Sequence, residues 1–359
     1  MSIYILNLVI VCVFGYLAEK YKKKGIESNK TKYNLFLILI SLISLTLVSG
    51  FRYKVGTDFM TYTETLIYFK NTSIDIFDQG GFTLLTNLLR DITDNPQLFF
   101  MITSIFINTA VVIFLVRNTD NIFLSLYFYI TTYMYYGTMN GIRQYIACSI
   151  LLLGYKNLIN GNFKKYLLYI IGAFLFHSSA LIMIPIYFIV RQKSDSIWNI
   201  VIFLTTLMAM LFYDTFLEIL FTILNDTRFG YYKDYLIGDS NGANILRIIV
   251  WMLPVILIFL YKDRARKVFG DKIDIVINLC YIGAIFMLLA SKHVFFARIC
   301  MYFDAYYLIL LPKLSSMFDN KTNKFMTIII MIGYLTYSSL LLISGESNIY
   351  PYRYNLKLF

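Results

Sequence analysis

The chain has 359 residues, of which 58% are hydrophobic and only 15% charged, with a net charge of +11. Soluble domains carry about 25% charged residues, whereas here charge-free stretches near bilayer length recur from end to end. Composition therefore excludes a soluble enzyme and predicts an all-α integral membrane protein. The positive excess falls mostly in short loops on one side of the predicted spans, the positive-inside pattern, and this argues against nucleic acid as a partner.

Spans are predicted at about 3–18, 33–51, 98–116, 121–139, 141–159, 197–213, 245–261, 274–290, 297–311 and 325–344. The first run resembles a signal peptide in hydropathy. It lacks a basic start and a small-residue cleavage site, and its charges follow the apolar run, so it reads as a retained span. Residues 166–190, "YLLYIIGAFLFHSSALIMIPIYFIV", could be one long span or two short helices meeting at Phe176–Ser179. Charge decides for the hairpin. It places 20 of the 32 Lys and Arg on the inner side against 8 of the 21 acids, whereas a single span would flip the basic "YKDRARK" outward. The expectation is about 12 membrane segments with both termini extracytoplasmic, in one polytopic domain spanning 1–359. Two long outer loops are expected at about 52–97 and 214–244. In the first, Phe82, Leu85, Leu88, Leu89 and Ile92 share one helical face, as in a helix lying on the membrane surface.

Several soluble-enzyme signatures are absent. There is no D-x-D triplet, no P-loop, no G-x-G-x-x-G and no G-x-S-x-G elbow. Two histidines leave almost no room for a multi-histidine metal site. The four cysteines lie in apolar runs without a C-x-x-C pair and read as buried thiols.

The chemistry-bearing residues cluster at predicted outer span ends. Nineteen uncharged residues end in "FRYKVGTDFMTYTE". Snorkelling would account for Arg52 and Lys54, but the Gly56-Thr57-Asp58 turn would also hold a carboxylate near the Arg52 guanidinium. In "MNGIRQYIA", Arg143 and Gln144 begin a span; an arginine there opposes the helix dipole and is tolerated best beside an anion. His177 in "FHSSAL" is either a hydrogen-bonded core histidine or a base in a cavity. Arg298 and Tyr302 stand in "ARICMYFDAYY", where Asp304 would need an arginine partner such as Arg298 or Arg143. Arg228 and Arg353 are further outer arginines. Together, outer arginines with aromatic neighbours suit a site that grips phosphate bidentately and stacks on sugars.

The stretches "FRYKVGTDFMTY", "GIRQYIA", "FHSSALIMIPIY" and "ARICMYF", in that order, resemble the EpsG-like family of Wzy-type bacterial polysaccharide polymerases. The resemblance runs from about residue 33 to "YPYRY" at 350–354. It matches Arg52, Gly56, Thr57, Asp58 and Tyr62; Arg143 and Gln144; Phe176, His177, Ser179 and Ala180; and Arg298, Tyr302 and Phe303. One departure is visible. Members often carry Glu-Pro before the aromatic that opens the surface helix; here "DQGGF" stands there, and Asp78 is a poor substitute.

The resemblance implies a fold like the class C glycosyltransferases, in a bacterial cytoplasmic membrane. It implies glycosyl transfer between polyprenyl-pyrophosphate-linked oligosaccharide repeat units at the extracytoplasmic face. No metal or other cofactor is expected; partners are the bilayer, the lipid-linked glycans, a flippase and a chain-length regulator. In that reading Arg143 and Arg298 hold pyrophosphate with Arg52, Gln144, Arg228 and Tyr302 in support. His177 is the base ahead of Asp58. Rivals are a flippase for the same unit, a glycan ligase and an acyltransferase. A flippase predicts an inverted repeat, and none is seen.

Overall fold

The computed structural model describes residues 1–24, 31–68, 74–75, 77, 79–224, 242–269 and 273–358. These residues are almost wholly helical, apart from a two-residue antiparallel pairing of Lys23–Lys24 with Thr31–Lys32. They divide into two units, 1–185 with 308–359 and 186–307, with no linker in the sequence to mark the division.

In the first unit, α1 (Ser2–Lys20) packs along α2 (Leu35–Gly50) and α6 (Ile122–Thr131), and α5 (Gln97–Asn118) lies against α2 and α8 (Ile142–Leu153). Helix starts follow from capping side chains: Asn34 Oδ1 accepts the Phe36 amide, Asn121 Oδ1 that of Leu124, and Asp319 Oδ1 that of Thr322. Among the described residues three helices are long and apolar enough to cross a membrane: Ser2–Lys20, Gln97–Asn118 and Lys321–Ile343. The number rises to five if each of two bent pairs makes one span. Gln97–Asn118 is the central one, with 67% of its apolar window buried, against 28% and 17% for the other two.

Several expected spans are shorter or broken. The run 121–139 divides at Tyr133, whose φ of 73° ends α6 before the short α7 (Met134–Gly137). The run 141–159 divides at Gly154 into α8 and α9 (Tyr155–Ile159). The 166–190 run breaks at Leu175–His177, between α10 (Phe163–Phe174) and a 3-10 turn (Ser178–Ile182) that leads into α11 (Met183–Ile189). Periodicity does not locate the first two breaks, because the residues on both sides of them are apolar, whereas the third falls where two short helices were expected to meet, at Phe176–Ser179.

The loops of this unit gather at two ends. At one, the Tyr33 hydroxyl donates to the Thr119 carbonyl, Lys22 to the Asp120 carbonyl, and the Ile122 amide to Glu19. Lys313 pairs with Asp120 there. The other end carries the start of α1, the end of α2, the start of α5, the 138–141 turn and the C-terminal tail. The Tyr4 hydroxyl on α1 donates to the Ile349 carbonyl at 2.7 Å, so both termini lie at this end.

The second unit centres on the helix Ile273–Leu289, which packs against Ile197–Leu211, Ile245–Leu260 and Phe295–Cys300. Several of its core polar groups bond to one another or to the backbone. Asn199 Nδ2 donates to Asn278 Oδ1, Asn278 Nδ2 to the Val190 and Gln192 carbonyls, and Tyr307 to those of Trp251 and Cys280.

The surface helix expected in the first outer loop is α4 (Gly80–Ile92), but its apolar residues do not act as one face. Phe82 and Leu89 are buried in the unit, whereas Leu88 and Ile92 are exposed together with Leu84. The helix is thus held from beneath by two anchors and presents a separate apolar stripe outward.

Candidate functional site

Arg52 lies just beyond the last turn of α2 and is only 1% exposed. One guanidinium nitrogen donates to the Ser49 carbonyl and the other to the Met139 carbonyl at 3.1 Å. The group sits over the Phe100 ring, 4.7 Å from its centroid. Burial draws its pKa down to about 10, so it remains charged at neutral pH. Gln97 Nε2 completes the collar by donating to the carbonyls of Gly50 and Arg52. Arg52 is thus buried, and the guanidinium bonds described go to backbone carbonyls rather than to Asp58, which corrects the expected Arg52–Asp58 contact. The cause is that α2 ends with carbonyls that lack partners, and the guanidinium is the nearest multiple donor. Lys54 is exposed, its ammonium 5.5 Å from the Tyr53 ring.

Asp58 closes the following turn. Its Oδ2 accepts the Gly141 amide at 2.9 Å, at the N-terminus of α8. The anion expected beside Arg143 at that helix start is therefore supplied by the chain itself. Asn140 Oδ1 accepts the Asp58 amide at 3.2 Å. Gly56 makes this approach possible: its φ is +99°, and a Cβ there would lie 2.6 Å from Asn140 Oδ1. Gly56→Ala is expected to destabilise the protein by roughly 1–3 kcal/mol, read as a lowered melting temperature in detergent.

The α3 helix (Phe59–Tyr68) brings Tyr62 to the same place, where its hydroxyl oxygen accepts the Arg143 amide at 3.3 Å. Burial pushes the Tyr62 hydroxyl pKa up, while the Arg143 guanidinium and its hydrogen bonds pull it down and the Asp58 charge adds to the rise. Arg143 itself is half-buried. Its Nη1 donates to Gln79 Oε1 at 2.9 Å, and the guanidinium lies 5.3 Å from the Phe82 ring centroid. Among the described residues no carboxylate pairs with it.

Gln79 is the residue that sequence reasoning missed. It precedes α4 in the left-handed conformation, φ 57° and ψ 39°, and it stands in the "DQGGF" stretch where an acid was sought. The signal for it is that departure; the neighbouring acid, Asp78, lies outside the described residues. Gln79→Leu is expected to lower activity about tenfold by removing a hydrogen bond to a charged group. Gln79→Glu, which would set a carboxylate against the guanidinium and neutralise it, is expected to lower activity as well; rates at matched abundance check both.

His177 joins this end through the backbone. The Leu175 carbonyl accepts the Gly81 amide at 2.9 Å, which fastens the turn before His177 to the start of α4. Glycine is required at 81, because a Cβ would lie 2.9 Å from the Leu175 Cβ. His177 is half-buried, and its Nδ1 lies 2.7 Å from Ser179 Oγ. In the tautomer whose Nδ1–H donates to Ser179, Nε2 carries the lone pair. Arg90, also not singled out, donates to the Thr65 and Leu66 carbonyls and so holds the end of α3 against α4.

The structure thus brings Asp58, Tyr62 and Arg143 together, with Gln144 buried one residue further along α8. Arg298 and Tyr302 belong to the second unit, where Arg298 is exposed on Phe295–Cys300 and Tyr302 is buried. Asp304 starts the helix Asp304–Leu314, where the dipole favours a carboxylate. Arg228 lies outside the described residues. Among the described residues no cluster of three or more His, Cys, Asp or Glu could hold a metal ion.

A chain of apolar helices with its polar loops gathered at their ends has the character of a multi-pass membrane protein. The chain belongs to the EpsG family, the Wzy-like polysaccharide polymerase family, whose model matches residues 35–354. The resemblance read from the motifs therefore holds, and with it a polysaccharide polymerase-type role. No curated protein and no solved structure matches the chain.

Proposed function

We propose that this protein joins polyprenyl-pyrophosphate-linked oligosaccharide repeat units by glycosyl transfer at the extracytoplasmic face of the bacterial cytoplasmic membrane. The observation that carries this is the state of Arg143. A half-buried guanidinium whose side-chain partners are a neutral amide and an aromatic ring keeps its positive charge available for a phosphate. The carboxylate that could have neutralised it accepts a backbone amide instead.

In the reaction, the acceptor hydroxyl loses its proton to His177 Nε2 as its oxygen attacks the anomeric carbon of the donor. The bond from that carbon to the pyrophosphate oxygen breaks, and the leaving lipid pyrophosphate takes the electron pair. Arg143 stabilises the charge that builds on it, the role that a metal ion takes in other transferases. His177 is taken as the base and Asp58, whose Oδ2 accepts the Gly141 amide, as a group that positions the start of α8. Tyr62 and Gln79 orient the arginine.

The test is the size ladder of lipid-linked glycan in cells lacking the protein, with sidedness from a non-permeant probe. Single repeat units accumulating on the outer face support the proposal. Single units held on the inner face would indicate a flippase, and long chains left on lipid a ligase.

A further inference from the structure

We propose that the C-terminal tail, residues 346–357, acts as a backbone clamp that sets the Asp58 turn, with Asn140 as the positioning residue that couples tail, turn and α8. The proposal rests on the reading of the Asp58–Arg143 site given above.

The tail runs antiparallel to residues 51–57 and bonds to them through main chain alone. Near its end, the Tyr53 amide donates to the Arg353 carbonyl at 2.9 Å and the Asn355 amide to the Phe51 carbonyl at 2.9 Å, flanking an Arg52–Tyr354 bridge. Nearer its start, the Gly56 amide donates to the Asn348 carbonyl at 2.9 Å and the Thr57 amide to that of Ser347 at 3.2 Å. The tail pairs as a strand at the Arg52–Tyr354 bridge, whereas Glu346–Asn348 form a 3-10 turn whose carbonyls receive the Gly56 and Thr57 amides, so backbone groups supply the hold at both ends.

Three tyrosine hydroxyls fix the register. Tyr4 donates to the Ile349 carbonyl, Tyr133 to that of Glu346, and Tyr352 of the tail to that of Val48. Tyr4 also meets Tyr136 and Tyr352 edge-on, with centroids 5.1 and 5.3 Å apart. Asn95 Nδ2 secures the far end by donating to the Lys357 carbonyl.

Asn140 is where tail and site meet. It is 8% exposed. Its Oδ1 accepts the Asp58 amide, and its Nδ2 donates to the Ser347 carbonyl at 3.1 Å. It directly precedes Gly141, whose amide holds the Asp58 carboxylate. One side chain therefore fixes the carboxylate from the turn side and binds the tail from the other. Without the tail, the amides of Gly56 and Thr57 lose their acceptors, and the turn has no reason to keep the conformation that presents Asp58 to α8.

The experiment uses Val55→Cys, a position fully buried within the turn, labelled in native membranes by a membrane-impermeant maleimide. The rate is compared in the otherwise intact chain, in a chain ending at Gly345, in Asn140→Ala, and in the last two combined. The proposal expects labelling about tenfold faster in the truncated chain, faster also in Asn140→Ala, and no faster in the combination than in the truncation alone, because coupled positions are not additive. Continued protection in a truncated chain that keeps its thermal transition overturns it, as do effects that multiply. Should the truncated chain fail to accumulate, Asn140→Ala in the full-length chain decides, with unchanged labelling as the refuting result. Labelling depends on no activity. Faster labelling with an unchanged glycan ladder would uphold the tail's role and show that glycan joining does not depend on the Asp58 turn.

Discussion

Arg143→Ala is expected to lower the rate of glycan joining by about 10²–10³-fold, the range for losing one preorganised donor at a developing anion, while membrane abundance and melting temperature stay near those of the parent. The guanidinium is half-buried, and the hydrogen bond that its side chain makes goes to a neighbouring side chain, Gln79, not to the backbone. Its removal therefore strands no main-chain group. The contact that fastens this stretch to α3, the Arg143 amide to the Tyr62 hydroxyl, survives the substitution. Arg143→Lys keeps the charge and loses the planar fork, so it should recover only part of the rate. The comparison is made on purified enzyme with a lipid-linked acceptor and donor at matched protein. Full activity in Arg143→Ala at normal abundance would remove it from the site and with it the observation on which the proposed function stands.

The helical architecture was legible in the sequence because apolar runs of bilayer length leave few alternatives. Hydropathy set the expected starts only roughly; in the structure they follow capping side chains, as at Asn34, Asn121 and Asp319, the last of them ahead of the expected start near 325. What was not legible has a common cause. Tyr133 breaks a run between apolar neighbours, so hydropathy carries no mark of it. The tail's hold on residues 51–57 is made by backbone groups, which every residue possesses. Gln79 meets Arg143 across 64 residues, and an amide is not a residue type that announces such a partnership. The site was legible as a set of motifs but not as an arrangement. Asp58 and Arg143 do share one end of the fold, yet Asp58 accepts a backbone amide, and Arg52, expected to assist Arg143, sends its hydrogen bonds to backbone carbonyls.

Arg52 tests that distinction from the other side. Arg52→Ala is expected to destabilise the protein by roughly 3–5 kcal/mol, seen as a large fall in melting temperature and in membrane abundance. The carbonyls of Ser49 and Met139 lose their donor, and each stranded group costs about 1–3 kcal/mol. The void against Phe100 adds to that, since large buried side chains leave cavities that close only partly. Arg52→Met separates the two contributions: it fills the volume and restores packing while both carbonyls stay stranded, so its stability should fall between Ala and the parent. Arg52→Lys can satisfy one carbonyl and should lie above Met. Whatever protein does fold in these variants should retain much of its activity per molecule, because the guanidinium is sealed from any ligand. The reverse pattern, normal melting with lost activity, would mean that the collar opens in the working protein and that Arg52 reaches substrate. Arg143 and Arg52 are thus expected to fail in opposite assays, one in rate at constant stability and the other in stability at nearly constant specific rate. That opposition follows from where each guanidinium sends its hydrogen bonds.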